Sequence, residues 1–212
     1  VEAAIRRWAE RGRKITLSGG EPTLHPRLLH FVALARSVSR LPVLLQTNAV
    51  RLAEGTLAAE LRAAGLDEAF VSLHGATAAV SDSVTEAPGT FDKTLLGLDA
   101  LDRAGVQLQI NFVICQKNLH ELPAWTRQVA ARWPKAFANV SFVPRYTEMV
   151  PLLAEAVAIA EAAGLEIGGF ESMCGIPLCL VPRSLARYFD LSEVPPGFDA
   201  GEFVKTDTCA TC

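Results

Sequence analysis

The residues of this chain best suited to chemistry begin with a glycine pair followed by a carboxylate. Residues 18–22 read Ser-Gly-Gly-Glu-Pro and end a short run that starts at Lys14. Glycine lacks a Cβ, so a ligand can approach the backbone closely there, and Pro22 fixes the direction in which the chain leaves. The pattern predicts a strand that delivers Glu21 to an open loop, where its carboxylate can accept hydrogen bonds from a cationic group. An ordinary strand-to-helix turn is the alternative for this segment alone.

The cysteines form a second group of candidate ligands. Cys209 and Cys212 have the Cys-x-x-Cys spacing that lets two sulfurs bind one metal ion or cluster. Upstream, Cys174 and Cys179 add two thiols, and the prolines beside Cys179 favour it as the third ligand. We expect Cys179, Cys209 and Cys212 to share a metal centre, either zinc or an auxiliary iron–sulfur cluster. The alternative is free thiols, which is the interpretation for Cys115 inside a strand.

Short strands alternate with helices through the first four fifths of the chain. Strands are predicted at residues 14–18, 42–46, 68–73, 106–114, 138–143 and 165–168, and helices at residues 1–11, 27–39, 54–64, 90–104, 119–132 and 151–163. Thr90 is the expected N-cap of one helix, and Pro151 is the expected first residue of another. Strands and helices of this length indicate a parallel sheet with right-handed crossovers. A nucleotide-binding glycine fingerprint is absent from the sequence, so a barrel or partial barrel is favoured over a Rossmann sheet.

Polar residues follow the predicted strands at the point where each strand ends. The set comprises Thr47, Asn48, Ser72, His74 and Asn111. Taken singly, each is explained as a satisfied turn residue or a structural histidine. Parallel βα architectures gather their chemistry at the carboxyl ends of the strands, so the repeated placement favours one shared cavity. We therefore expect Glu21 and Ser72 to face a common cleft.

Composition excludes several broad classes of function. The chain has 212 residues, half of them hydrophobic, which is enough for one domain with a substantial core. A net charge of −3 with interspersed signs gives no indication of a nucleic-acid or anionic-membrane partner. The sequence contains no apolar run long enough to span a bilayer. Five cysteines are an odd number, which argues against a secreted disulfide framework and favours a reducing cytoplasm.

The glycine loop resembles the GGEP motif of radical S-adenosylmethionine (radical SAM) enzymes. Further stretches are similar to that family in the same order along the chain. They are Thr47-Asn48, Val-Ser-Leu-His-Gly at residues 71–75, Asp82, Pro-Gly-Thr-Phe at residues 88–91, and Ile-Asn-Phe-Val-Ile at residues 110–114 followed by Asn118. The resemblance in motifs covers residues 14–118, and the βα pattern continues to residue 168.

The resemblance implies an α/β fold, a partial (β/α)6 TIM-like barrel over residues 1–168 with SAM bound across the strand ends. Gly19, Gly20 and Glu21 would hold the methionyl amino group, Ser72 would meet the SAM carboxylate or ribose, and Asn111 would meet the ribose. Pro22, Thr47, Asn48 and His74 complete the implied cofactor-binding set. Residues 169–212 resemble the start of a C-terminal extension that carries an auxiliary metal or cluster site.

The family's Cys-x-x-x-Cys-x-x-Cys loop is missing from this sequence. Its three thiolates hold a four-iron four-sulfur cluster with one iron open to SAM. We interpret the chain as a fragment whose first strand and cluster loop lie upstream of Val1, and we do not expect the fragment alone to cleave SAM.

The resemblance also implies an activity and partners for the parent protein. Electron transfer to SAM from the reduced cluster would yield a 5′-deoxyadenosyl radical that abstracts hydrogen from a substrate. The expected partners are SAM and an electron donor such as a flavodoxin or ferredoxin. Peptide, nucleoside and small-metabolite substrates stay open, and the cysteine-containing tail mildly favours a peptide.

Two other classes of function stay open at this point. One is a conventional TIM-barrel lyase or isomerase that uses Glu21, His74 and either Lys14 or Lys117. It would need an anion site near the last strands, and the sequence shows no such glycine loop. The other is a non-catalytic, metal-stabilised binding barrel. The coding sequence upstream of Val1 discriminates among the three, because a Cys-x-x-x-Cys-x-x-Cys loop there supports the radical enzyme.

The cysteine pair generates the first prediction. In parent protein that lacks its core-cluster cysteines, iron and sulfide should remain bound and should be lost in a Cys209→Ala, Cys212→Ala double variant. Elemental and sulfide analysis after anaerobic purification measures this. If the protein retains zinc and not iron, the cysteines form a metal site, but the metal is zinc. If the purified protein holds no metal at all, these residues are free thiols.

Overall fold

The strands form a single parallel sheet in a computed structural model that describes residues 1–142 and 146–168. Their bounds are β1 Ile15–Leu17, β2 Val43–Thr47, β3 Glu68–Ser72, β4 Gln107–Ile114, β5 Phe137–Phe142 and β6 Glu166–Gly168. All neighbouring pairs are parallel, and the strand order is β1-β2-β3-β4-β5-β6. A consecutive order is that of a barrel wall, whereas a doubly wound sheet reverses its order part-way. The expected α/β partial barrel is confirmed, and the sheet is open.

The described residues form seven helices, of which α1 precedes β1 and the others lie between strands. Their bounds are α1 Glu2–Glu10, α2 Leu28–Val38, α3 Leu57–Ala63, α4 Ala78–Thr85, α5 Phe91–Arg103, α6 Leu122–Arg132 and α7 Tyr146–Ala163. In the same residues, three short 3-10 turns lie at Pro22–Leu24, Val50–Leu52 and Leu119–Glu121. No helix in this part of the chain is both long and apolar enough to cross a membrane.

The two faces of the sheet differ in polarity because side chains alternate along each strand. One face packs against the helices and forms the core, with Val43, Leu45, Ala69, Val71, Leu108, Ile110, Phe112, Ala138 and Val140 buried. The other face carries Gln46, Ser72, Gln109, Asn111, Asn139 and Ser141. Ser72 pairs in register with Asn111, and Asn111 pairs with Asn139. The polar face therefore brings side chains from successive strands to one level of the sheet.

Two helix starts differ from the sequence-based expectation. Thr90 occupies the N-cap position of α5 but makes no side-chain cap bond. Asp82 takes this role, since its carboxylate accepts hydrogen bonds from the Gly89 and Phe91 N–H groups at 2.5 and 2.9 Å. Pro151 lies inside α7, which already begins at Tyr146. Helix α4 was not expected from the sequence; Thr77 caps it by accepting a hydrogen bond from Val80 N–H.

Core packing generates the second prediction. Leu45 on β2 is fully buried, so Leu45→Ala removes methyl contacts and leaves a cavity beneath the sheet. We expect the free energy of unfolding to fall by about 2–5 kcal/mol, measured by urea denaturation. Leu96→Ala on α5 is the matched control, because Leu96 is 49% exposed. Equal losses in the two variants would contradict this account of the core.

Candidate functional site

The loop after β1 has an open backbone that only glycine adopts readily. Gly19 and Gly20 have φ values of +109° and +49°. No atom of the described residues lies within 4 Å of the point where a Cβ would stand at either residue. The left-handed conformation, rather than lack of space, therefore requires glycine. The peptide groups of this loop are accessible to a ligand, as the sequence predicted.

The Glu21 carboxylate ties this loop to the end of the neighbouring strand. Its Oε1 accepts hydrogen bonds from Thr23 N–H at 3.0 Å, from Thr23 Oγ1 at 2.6 Å and from Thr47 Oγ1 at 2.6 Å. Its Oε2 accepts one from Asn48 N–H at 2.8 Å. We call these contacts among Glu21, Thr23, Thr47 and Asn48 the Glu21 clamp. The clamp fixes the relative positions of the loops after β1 and β2.

The clamp changes the expectation for Glu21. From the sequence, its carboxylate was free to receive a cationic ligand group. In the structure Oε1 already has three donors, whereas Oε2 has one and retains an acceptor position. Sequence analysis did not identify Thr23. The signal was the Glu-Pro-Thr order, in which a side-chain acceptor precedes Pro at the first position of a short helical turn.

A polar cavity of about 340 Å³ lies between the ends of β1, β2 and β3. It is lined by Ser18, Gly19, Gly20, Glu21, Gln46, Thr47, Asn48 and Ser72. Ser18 Oγ donates a hydrogen bond to Gln46 Oε1 at 3.0 Å. Glu21 and Ser72 therefore face a common cleft, as expected. Pro22 instead lines an adjacent groove of about 380 Å³ with Leu17 and Phe31.

Asn111 lies next to this cavity on the polar face of the sheet. It is 6% exposed, and its Oδ1 accepts hydrogen bonds from Asn139 Nδ2 at 2.8 Å and Ser141 Oγ at 3.2 Å. Because the amide oxygen is used in this way, the Nδ2 group is the end of the side chain that can donate to a ligand. Ser72, its register partner on β3, lines the cavity directly.

His74 supports the strand ends and does not line the cavity. Its Nδ1 accepts a hydrogen bond from Val113 N–H at 3.2 Å, which requires an imidazole without a proton on Nδ1. Asn118 Nδ2 donates to the carbonyls of His74 and Val113, both at 2.9 Å. Burial lowers the pKa of His74 and keeps the ring neutral. The histidine thus continues the β3–β4 pairing beyond the last strand residue.

A second carboxylate, which sequence analysis missed, fixes the loop after β3. Glu121 is 8% exposed and accepts hydrogen bonds from Ala76 N–H at 2.8 Å, Thr77 N–H at 3.3 Å and Thr77 Oγ1 at 2.6 Å. A Cβ at Gly75 would stand 2.9 Å from its Oε2. No local pattern marks Glu121, because its partners lie 44 and 45 residues away.

The two lysines proposed for a conventional lyase do not reach the cavity. Lys14 pairs with Glu68 at 2.6 Å, at the amino ends of β1 and β3. Lys117 donates to the Ser83 carbonyl at 2.9 Å. Both ammonium groups are bound at other places in the fold, so the described residues that line this cavity include no lysine–carboxylate pair.

The predicted metal ligands Cys179, Cys209 and Cys212 lie outside the described residues. Within residues 1–142 and 146–168, no group of three or more histidine, cysteine or acidic side chains is arranged to hold a metal ion. Cys115 in this part of the chain is a free, half-buried thiol. The described residues therefore do not fit an iron–sulfur cluster, whereas the open glycine loop and polar cavity fit a small polar cofactor.

Comparison with known proteins decides the family. The profile of the radical SAM superfamily matches residues 1–127, which is more than half of the 212 residues. This chain belongs to the radical SAM superfamily. The family is one of enzymes, and it implies SAM as the small-molecule ligand together with a four-iron four-sulfur cluster. The conventional lyase or isomerase is therefore not the class to which this chain belongs.

Curated relatives in this superfamily carry two different names. The chain is 36% identical over 108 residues to an AdoMet-dependent heme synthase of Methanosarcina barkeri, covering 51% of this chain and 30% of that protein. It is 36% identical over 111 residues to a probable GTP 3′,8-cyclase of Sulfurisphaera tokodaii, covering 52% and 34%. The chain thus spans about a third of the length of these relatives.

A solved structure with little sequence similarity shares the fold of this chain. Streptococcus suis SuiB bound to S-adenosylmethionine matches with a TM-score of 0.61 at 13% identity, covering 79% of this chain and 42% of SuiB. At this identity the likeness concerns the fold alone.

The buried imidazole generates the third prediction. The ordinary pKa of 6.5 applies to His74 in the unfolded chain, and burial lowers it in the fold. As the pH falls, His74 therefore binds a proton in the unfolded chain before it does so in the folded chain. The contribution of the neutral, buried imidazole to the free energy of unfolding is complete above pH 6.5 and decreases as the pH falls below that value. Urea denaturation from pH 7.5 to pH 5 should show this loss.

The matched variants test whether His74 is the source. His74→Asn retains an acceptor near the Nδ1 position but cannot titrate in this range, so it should reduce the pH dependence. His120→Asn changes an exposed imidazole and should leave the contribution of His74 in place. A pH profile that is identical in wild type and His74→Asn would contradict the assignment.

Proposed function

We propose that the cavity after β1, β2 and β3 binds SAM, and that the parent protein uses it to abstract hydrogen from a substrate. The observation that carries the proposal is the open Gly19–Gly20 backbone held by the Glu21 clamp at the edge of a polar cavity. An amino acid moiety needs such exposed peptide groups and hydrogen-bonding side chains to fix both of its charged ends.

The proposed roles follow the positions of the groups. Peptide groups of Gly19 and Gly20, with the remaining acceptor position on Glu21 Oε2, receive the methionyl amino group. Ser72 donates to the carboxylate or ribose, and Asn111 Nδ2 donates to a ribose oxygen. The Glu21 and Asn111 side chains are already oriented by internal hydrogen bonds, so little ordering of these two groups is needed when SAM binds.

The other predicted cofactor residues act through shape and support. Thr47 and Asn48 belong to the Glu21 clamp, and Pro22 starts the turn that places Thr23 within it. His74 keeps β3 against β4, which holds Ser72 beside Asn111. We therefore propose these four as positioning residues of the cofactor site.

The reaction of the whole protein extends beyond the described residues. In this family SAM is the source of the 5′-deoxyadenosyl radical that abstracts hydrogen. Here the chain's own residues bind and orient the cofactor, and the polar cavity sets where it lies. We propose residues 1–168 as the core domain and residues 169–212 as an extension with an auxiliary iron–sulfur cluster or zinc at Cys179, Cys209 and Cys212.

The substrate and remaining partners are proposed at the level of class. One relative is named as a heme synthase and another as a probable GTP 3′,8-cyclase, which supports a small-molecule substrate, either a nucleoside or another metabolite. The cysteine-containing tail supports a peptide substrate as the second candidate. We further propose a flavodoxin or ferredoxin as the electron donor and the cytoplasm as the location.

The Glu21 clamp generates the fourth prediction. In the parent protein, reconstituted under anaerobic conditions, Glu21→Ala removes an acceptor for the methionyl amino group and frees the two loops. Loss of a hydrogen-bonding partner of a charged group costs about 1.5–3 kcal/mol, so SAM affinity should fall roughly ten- to a hundred-fold. Calorimetric titration with SAM measures the change, and formation of 5′-deoxyadenosine should fall with it.

Glu10→Ala is the control for loss of a carboxylate, because Glu10 is exposed on α1 and does not line the cavity. It should bind SAM as wild type does. Wild-type SAM affinity in Glu21→Ala would refute the role proposed for this residue.

A further inference from the structure

The turn that follows β2 rests on α5, and we propose that Thr94 and Gly97 of α5 are positioning residues of the cofactor site. They act by fixing the Asn48 turn, defined here as residues 47–50, and through it the Glu21 clamp. The effect on SAM rests on the proposed function, whereas the effect on the turn itself does not.

The Asn48 turn contains a backbone conformation that needs external support. Ala49 is fully buried and has φ of +59°, in the left-handed region. For a residue with a Cβ this conformation costs about 1–2 kcal/mol relative to the right-handed region. Such conformations persist where the surroundings over-determine them. Within the turn, Ala49 N–H donates to Thr47 Oγ1 at 3.0 Å. Just after the turn, Leu52 N–H donates to the Ala49 carbonyl at 2.9 Å.

Thr94 supplies a bond from outside the turn. It is 6% exposed, and its Oγ1 donates a hydrogen bond to the Asn48 carbonyl at 3.0 Å. On the other side of the same residue, Asn48 N–H donates to Glu21 Oε2 at 2.8 Å. The peptide groups flanking the Asn48 Cα are therefore held by two different elements, α5 behind the turn and the glycine loop in front of it.

Gly97 lets α5 approach the turn closely enough to make this contact. A Cβ at this position would stand 2.1 Å from the Ala49 carbonyl oxygen and 2.9 Å from the Ala49 Cβ. No side chain fits there unless the helix or the turn moves. Glycine inside a helix is about 1 kcal/mol less favourable than alanine, and its presence in the middle of α5 is explained by this contact.

The contacts form a continuous path from α5 to the glycine loop. A shift of Ala49 away from α5 moves the Asn48 peptide groups, which lengthens the bond from Asn48 N–H to Glu21. Glu21 then loses its contact through Oε2, the oxygen that we propose for the methionyl amino group. The α5 residues thus influence the cofactor without touching the cavity, since neither of them lines it.

The test compares two buried helical threonines. Thr94→Val removes the hydroxyl that supports Asn48. Thr126→Val removes a hydroxyl that donates to the Leu122 carbonyl of its own helix at 2.9 Å. Loss of a neutral hydrogen bond corresponds to a roughly two- to tenfold loss of SAM affinity in Thr94→Val. Thr126→Val should bind SAM as wild type does, and Thr94→Ser should restore affinity.

A double-mutant cycle separates positioning from general destabilisation. If Thr94 acts through Glu21, Thr94→Val should have no further effect on SAM affinity in a Glu21→Ala background. Gly97→Ala should lower SAM affinity at least as much as Thr94→Val. Independent, additive losses in the cycle would overturn the proposal, as would equal losses in Thr94→Val and Thr126→Val.

Amide hydrogen exchange without SAM keeps the inference testable if the cofactor assignment fails. Thr94→Val should accelerate exchange of the Asn48 and Ala49 amides, and Thr126→Val should not. Accelerated exchange with no SAM binding by the wild-type parent protein would refute the proposed function and support the positioning of the turn. Unchanged exchange at both amides would overturn the positioning role whatever the protein binds.

Discussion

The candidate site depends on the hydrogen bonds that the Glu21 carboxylate accepts. A partly buried carboxylate must be surrounded by donors, and here one hydroxyl comes from its own turn and another from the end of β2, with two backbone N–H groups completing the set. Because the donors belong to two consecutive βα loops, satisfying one charge also fixes the distance between those loops. The width of the polar cavity follows from this requirement.

Glu121 also joins two βα loops by accepting hydrogen bonds, at a position farther along the sheet. Loops at the carboxyl ends of parallel strands leave backbone N–H groups that the strand ladder does not pair, and a buried carboxylate accepts several of them at once. Glu21 reaches from the β1 loop forward to the β2 loop, and Glu121 reaches from the segment after β4 back to the β3 loop. The two carboxylates therefore fix the loops at the carboxyl ends of the strands, on both sides of Ser72.

Most of the strands and helices, which depend on neighbours in sequence, could be predicted, whereas contacts with distant partners could not. Apolar runs predicted the strands, and the glycine pair predicted an open backbone after β1, which the structure has. The support from Thr94 and Glu121 could not be predicted, because each bonds to residues 44 to 46 positions away. Thr90 was an attractive cap by local rules, but the Asp82 carboxylate satisfies the N–H groups at that helix start more effectively. Local rules placed Pro151 at the start of a helix, but it lies inside α7. This long helix tolerates the loss of the one hydrogen bond that a proline N–H cannot make.

The consecutive strand order bears on how the chain reaches this structure. Each strand pairs with the strand that precedes it in the chain, so each can join the sheet without a partner from a later part of the described residues. Loop-closure entropy is low when contacts are local in sequence, and chains with such contacts fold faster than those with long-range pairings. During synthesis, each βα unit can therefore dock on the unit before it as it leaves the ribosome. The Glu21 clamp can form once the loop after β2 has been added, and the hydrogen bonds of Glu121 can form once the segment after β4 has been added. These contacts of the candidate site are therefore complete before β5 and β6 join the sheet.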